Sequence, residues 1–518
     1  MPRSAKWIKR EAVSALQALG YYQAIIDVMS RDSGWELHIA LGPPVLLRSF
    51  KISIEGAGKQ DVTLRQFLRQ IEVKVGQRLH HGKYENLKLE LERIASERGY
   101  FDAHFVRKKL LVEPKKLSAD IDLVFDTGTR YRFASIEIDG RQLSQKFLRS
   151  FLLFNSGEYF EQQKLIDTQQ SFNRSGFFSQ VNLQQKRDDR GKQVHTKLLL
   201  DDLDRYQFKA RLGYSTDAEY RYSLTWADRR LNKKGHSYRF DMTLNQVEQG
   251  ATFRYLVPLK SNDQFLESVV SFSNIYPDTG SSDLYRWKTL FHDRVSTRVN
   301  TIYSVAVGDE NFRSNDGDRT EIYYIVPGWQ FDYISVDDPW QEQDGFRWQF
   351  AVRASESTIT SPDLNFLQID TSARHIYSFS PKYRLLSRLR LAGTAMDTDN
   401  FIANMPNEFR FFAGGDTSVR GYGYQSLGPR NEDNEVLGGR HLVAGSVEAD
   451  WRFRENWRLA VFTDVGNAFN YTESLQLFHS VGLGVRWITP IGSLRLDLAR
   501  ALDSPNSWRL HFVVGPEL

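Results

Sequence analysis

The 518-residue chain has no cysteine. That excludes disulfides, iron–sulfur clusters and thiol catalysis, and it suits export through an oxidising compartment. No run of about 18 apolar residues occurs, which argues against a helical membrane span. A β-barrel is untouched by that absence, because its strands alternate lipid-facing and lumen-facing residues and hide from hydropathy. An excess of charge is lacking as well, and a formal net charge of +4 gives a nucleic-acid partner no support. With no Gly-x-Ser-x-Gly elbow and no His-Glu-x-x-His helix, the expectation is a protein that is not an enzyme and uses no cofactor. An apolar signal-peptide core is also missing. Met1-Pro2-Arg3-Ser4-Ala5-Lys6 runs straight into an amphipathic helix, so the expectation is that the true start lies upstream or that a signal has been removed.

Aromatic residues are abundant, at 13%, and unevenly spread: nine of the eleven tryptophans, all but Trp7 and Trp35, follow residue 205. The front part repeats at an interval of about 80 residues. Apolar-striped helices run into Gly20-Tyr21-Tyr22, Gly99-Tyr100-Phe101 and Gly176-Phe177-Phe178. In the second, Leu87, Leu91 and Ile94 share one face, and Gly99 stands where a left-handed C-terminal cap is wanted. Two alternating strands follow each time, such as Trp35, Leu37, Ile39 and Leu41, or Ile121, Leu123 and Phe125. New units open with Ile52-Ser53-Ile54-Glu55-Gly56 and Ile136-Glu137-Ile138-Asp139-Gly140. The unit is strand, helix, helix, strand, strand, and Met1 falls inside the first copy, which leaves two complete repeats and one truncated. Sheet edges of such modules can accept a strand from a client or partner; a spacer role is the alternative.

After about residue 205 the period changes to two. Tyr206, Phe208, Ala210, Leu212 and Tyr214 alternate with Gln207, Lys209, Arg211, Gly213 and Ser215. A charged face on every strand suits a water-filled lumen, and an aromatic-rich face suits lipid. At about 20 residues per strand and connection, the stretch holds about 16 antiparallel strands. A soluble β-sandwich remains the alternative. The Asp/Asn/Gly-rich run from Gly308-Asp309-Glu310-Asn311 to Asp316-Gly317-Asp318 reads as an external loop. Two weaker signals are set aside: Gly56-Ala57-Gly58-Lys59 lacks the Ser/Thr of a phosphate loop and reads as a turn, and His80-His81 lacks further metal ligands.

The most informative segment is Phe411-Phe412-Ala413-Gly414-Gly415-Asp416-Thr417-Ser418-Val419-Arg420-Gly421-Tyr422-Gly423-Tyr424, one arginine among glycines between strands. Alternation turns Glu448 away from Val447, Ala449 and Trp451, and Asp464 away from Leu459, Val461 and Val465, so both acids face the lumen. A guanidinium entering the lumen could bond both and anchor the loop there. The end strands, Phe208, Ala210 and Leu212 against Leu510, Phe512, Gly515 and Pro516, form the barrel seam, where proline limits pairing.

These residues resemble a known family. Val419-Arg420-Gly421-Tyr422, Glu448 and Phe462-Thr463-Asp464-Val465-Gly466 resemble the loop and strand signatures of the Omp85 superfamily, and the helix-Gly-aromatic repeats resemble POTRA domains. Phe409-Arg410-Phe411-Phe412-Ala413-Gly414-Gly415-Asp416, Gly484-Val485-Arg486-Trp487 with Pro490, Gly492 and Asp497, and Gly515-Pro516-Glu517-Leu518 are similar to the TamA family within it. The resemblance implies an all-β membrane barrel preceded by α+β POTRA domains: a truncated one at 1–47, complete ones at 48–130 and 131–203, and the barrel at 204–518. It further implies a bacterial outer-membrane location with periplasmic POTRA domains, and assistance to β-barrel and autotransporter-type clients. Outer-membrane lipid, unfolded clients and a TamB-like inner-membrane protein would be the partners, with Arg420, Gly421, Tyr422, Glu448 and Asp464 as the loop anchor. A two-partner secretion pore is the alternative.

Overall fold

The computed structural model describes residues 5–31, 34–215, 219–246, 248–261, 263–276, 280–296, 298–314, 319–336, 344–357, 360, 364–396, 401–471, 475–489, 492–504 and 507–515. The chain forms two compact units, Met1–Arg141 with Phe151–Asp202, and Gln142–Ser150 with Leu203–Leu518. No described helix is long and apolar enough to cross a membrane.

In the first unit the repeat takes the same form twice. Leu46–Glu55, His104–Glu113 and Ser118–Asp126 make one three-stranded sheet, and Arg132–Asp139, Phe178–Asp188 and Gln193–Asp202 make another. In each, the last strand lies in the middle, parallel to the first and antiparallel to its predecessor. Ahead of them, the helix Ala5–Ala18 adjoins a two-stranded hairpin, Ile25–Arg31 with Gly34–Ala40. The helix His81–Glu97 buries Tyr84, Leu87, Leu91 and Ile94 at spacings of three and four, the stripe an amphipathic helix turns to its sheet. Gly99 ends that helix at φ 85°, a left-handed cap. After Gly56, Ala57–Gln60 form a single 3-10 turn, and His80 caps the helix His81–Glu97 by accepting from the Lys83 amide.

Charge locks the two complete repeats together. Asp61 caps the helix Val62–Arg69 through the Thr63 and Leu64 amides, and its other oxygen accepts from Arg98 at 3.0 Å and Tyr100 at 3.2 Å. Arg98 also reaches Glu161 of the next repeat at 3.0 Å, and Arg130 pairs with the same carboxylate at 3.2 Å. Burial raises the Asp61 carboxyl, but the Arg98 guanidinium and the helix amides more than offset it and hold it below the ordinary carboxylate range. Burial and Asp61 push the Tyr100 hydroxyl up to about 12. A carboxylate depressed in the folded state contributes stability above its unfolded value, near pH 4, and that contribution is lost as pH falls through the folded value. Asp61→Asn should therefore destabilise this unit by about 2 kcal/mol at pH 7 and flatten its loss of stability below about pH 4. Thermal unfolding followed by the helical circular-dichroism band checks both.

The second unit carries sixteen strands in one antiparallel sheet, ordered as they occur in the chain from Tyr206–Ser215 to Trp508–Gly515. Large residues such as Phe208, Trp226, Trp287, Trp451 and Trp487 are exposed on its outer face, while Glu448, Asp450, Asp464 and Asp497 are buried on the inner one. The acidic run expected as an external loop is a strand where it is described. Residues 308–314 continue the seventh strand, Val299–Ser314, rather than opening a loop, and Gly308 leaves room for the Tyr324 ring. Glu310 is buried and accepts from Ser282 at 2.7 Å. Asp316, Gly317 and Asp318 lie outside the described residues. The first and last strands come within 8 Å between Cα atoms, yet among the described residues no ladder joins them.

Candidate functional site in the barrel lumen

Between the eleventh strand, Tyr383–Met396, and the twelfth, His441–Arg454, runs the longest connection, residues 397–440. Its first part fastens to the sixth, seventh and eighth strands. Glu408 bonds Arg286 and the Tyr324 hydroxyl, and the Asn407 amide donates to Glu310 at 3.2 Å. Arg410 stiffens the turn by donating to the carbonyls of Met405, Ile402 and Leu437.

The second part reaches the other wall through Arg420. Its Nε and Nη2 form a fork on Asp464, at 2.8 and 2.9 Å. Nη1 donates to Glu448 at 2.8 Å and to Asp497 at 3.0 Å, and Nη2 also donates to the Ser446 hydroxyl at 3.2 Å. All five guanidinium N–H groups are thereby used. The Arg420 amide donates to Asp464 at 3.0 Å, so backbone and side chain hold the same carboxylate. The guanidinium lies 3.3 Å from the centre of the Phe462 ring, a cation–π stack. Only 4% of Arg420 is exposed.

Three carboxylates around one arginine would leave excess negative charge, and two further arginines balance it. Arg486 of the fourteenth strand, Phe478–Thr489, bonds Glu448 at 2.7 Å and also bonds Asp497. Arg388 comes within 3.9 Å of Asp464. The alternation of cation and anion is what makes buried charge tolerable. Glycine provides the space. A Cβ at Gly484 would overlap Asp497 and Arg486, and one at Gly482 would overlap the Phe462 ring. Gly421, at φ 92°, lies against the backbone of Arg500 and Ala501. Tyr422 follows, buried, with its hydroxyl donating to the His479 carbonyl at 3.3 Å.

The structure therefore brings Arg420, Glu448 and Asp464 into direct contact and sets Gly421 and Tyr422 beside them. Sequence reasoning missed Asp497 and Ser446 as acceptors for Arg420, Arg486 as the cation that bonds Glu448 and Asp497, and His511 as the acceptor for the Gly421 amide. The signal for Asp497 was present, since Leu494, Leu496 and Leu498 alternate with Arg495, Asp497 and Ala499. Of the seam residues, Phe208, Ala210 and Leu212 lie on the first strand, and Leu510, Phe512 and Gly515 on the last. Leu212 is 81% exposed and Leu510 is 49% exposed. Pro516 lies outside the described residues. Among the described residues no group of acids and histidines is arranged to hold a metal ion.

The family model of the Omp85 superfamily domain matches residues 204–517, and the chain belongs to that superfamily. The POTRA model, described as a surface antigen variable number repeat, matches residues 131–198. A curated relative, outer membrane protein assembly factor BamA of Neorickettsia risticii, is 22% identical over 481 residues, covering 86% of this chain and 62% of that protein. Its counterpart in Nitratidesulfovibrio vulgaris is 25% identical over 398 residues, covering 69% of this chain and 48% of that protein. The chain thus spans about half to three fifths of the length of these relatives. Among solved structures, BamA from Haemophilus ducreyi lacking POTRA domains 1-3 superposes with a TM-score of 0.69 at 16% identity, over 90% of this chain and 99% of that one. CdiB from Acinetobacter baumannii gives 0.53 at 13% identity, over 98% and 96%. Both are likenesses of fold.

Removing the cation from a buried cluster leaves its acids uncompensated, at a cost of about 3–5 kcal/mol. Arg420→Ala should lower the urea midpoint of barrel unfolding in lipid, and Arg420→Lys, which keeps the charge without the fork, should fall between. Equal midpoints for all three proteins would show that the cluster does not hold the loop.

Proposed function

We propose that the chain is an outer-membrane insertase of the TamA type, which helps β-barrel and autotransporter-type clients into the bacterial outer membrane. In this reading residues 204–518 are the barrel in the lipid. Residues 1–47, 48–130 and 131–203 are POTRA modules in the periplasm, which meet unfolded clients and a TamB-like inner-membrane partner. The TamA assignment rests on the residue runs around Arg410, Arg486 and Gly515, since the curated relatives carry the name BamA.

The observation that carries the reading is the seam. The end strands approach one another with no ladder between them among the described residues. Backbone groups left without partners in hydrocarbon are costly. A client strand added there satisfies the edge, and burying its apolar face in lipid supplies a driving force of about 25 cal/mol per Å²; no nucleotide is required. Arg420 keeps the twelfth, thirteenth and fifteenth strands in shape while the end strands part. The rival reading is a two-partner secretion pore, which exports an extended chain through the lumen. A loop fastened both to the sixth, seventh and eighth strands and to the twelfth and thirteenth obstructs that route.

Protein reconstituted in phospholipid vesicles should raise the protease protection of an unfolded barrel client several-fold without nucleotide. Arg420→Ala should reduce that gain and expose the loop to protease. Because the chain has no cysteine, a short bismaleimide can join Leu212→Cys to Leu510→Cys, and this should abolish insertion. Full insertion through a joined seam would overturn the reading, and release of an extended client into the vesicle interior would favour the pore.

A further inference from the structure

One histidine lies where the loop meets the seam. His511 belongs to the last strand, Trp508–Gly515, and stands directly opposite Asp497 in the ladder. It alternates with Leu510 and Phe512, so its ring turns into the lumen, where it is 1% exposed. The Gly421 amide donates to His511 Nε2 at 2.9 Å, and His511 Nδ1 bonds the Asp416 carboxylate. An amide can only donate, so Nε2 is the acceptor. The ring is then neutral, with its proton on Nδ1 and directed at Asp416. Both bonds go to the loop, one on each side of Arg420 in the chain.

Arg420 itself touches the twelfth, thirteenth and fifteenth strands. The last strand has one described neighbour, the fifteenth, Gly492–Ala501, and its other edge faces the seam. Its two bonds to the loop are consequently a second tether on the strand most able to move.

We propose that His511 couples the arginine loop to the seam, so that the last strand swings away from the first only when the loop gives up Gly421 and Asp416. His511 is a positioning residue in this scheme: it meets neither client nor lipid, and it sets how often the seam opens. The inference rests on the seam reading above. The loop becomes a brake on that motion, since the residue next to the arginine anchor holds the moving strand.

The chemistry chooses the test. His511→Phe keeps a ring of similar size and loses both bonds. His511→Gln keeps one acceptor for Gly421 and one donor for Asp416. Spin labels on Leu212→Cys and Leu510→Cys report the seam width in lipid by pulsed electron resonance, with and without unfolded client. His511→Phe should increase the wide-seam population at least several-fold without client, His511→Gln should match the parent, and Arg420→Ala with His511→Phe should add little to either alone. If His511→Phe does not fold, Asp416→Ala, which removes one of the two bonds, should give a smaller increase of the same sign.

A seam that widens with Arg420→Ala but not with His511→Phe or Asp416→Ala would overturn the coupling and leave the seam reading standing. His511→Gln behaving like His511→Phe would also overturn it, because the bonds would then not be what matters. A seam that never widens, in any variant or with client, overturns both.

Discussion

A guanidinium cannot sit inside a protein alone. Burying Arg420 demands five acceptors and compensating negative charge, and the lumen wall supplies them from three strands: Asp464, Glu448 with Ser446, and Asp497. Much of the site follows from that demand. Arg486 is present because three acids around one cation would repel, and Gly484 is present because a side chain there would occupy the space of that pair. The loop is thus held by charge as well as by the apolar residues that flank Arg420.

The same demand ties distant parts of the second unit together. The connection after the eleventh strand is pinned by Glu408 at its start and by Arg420 further on, so the sixth, seventh and eighth strands are linked to the twelfth, thirteenth and fifteenth through one segment. Between the pins and just beyond the second, Phe411, Ala413, Val419, Tyr422 and Leu427 form an apolar cluster with Leu442, Ala444, Ala468 and Ala501. Small residues on the strands let the loop pack close, and larger ones would push Arg420 out of reach of its acids.

The period-two pattern made the sixteen strands legible, because a lumen and a lipid face impose alternation on every strand. It also turned Glu448 and Asp464 inward, which is where they lie. Composition misled where it stood in for pattern. Gly308-Asp309-Glu310-Asn311 has the residues of a loop, yet Glu310 faces Ser282 and Asn407 inside a strand, since an inward strand position can be as polar as a loop. Asp497 and His511 were readable by alternation as inward residues. That they converge on Arg420 and Gly421 was not readable, because it depends on how far the loop descends, a quantity no local pattern carries.

Hydrogen exchange at the Arg420 and Gly421 amides, measured in lipid nanodiscs, tests the anchored loop most directly. Both amides donate to groups on the wall, Asp464 and His511. They should exchange as slowly as amides of the strand His441–Arg454, whereas exchange at the rate of an exposed loop would contradict an arginine held inside the barrel.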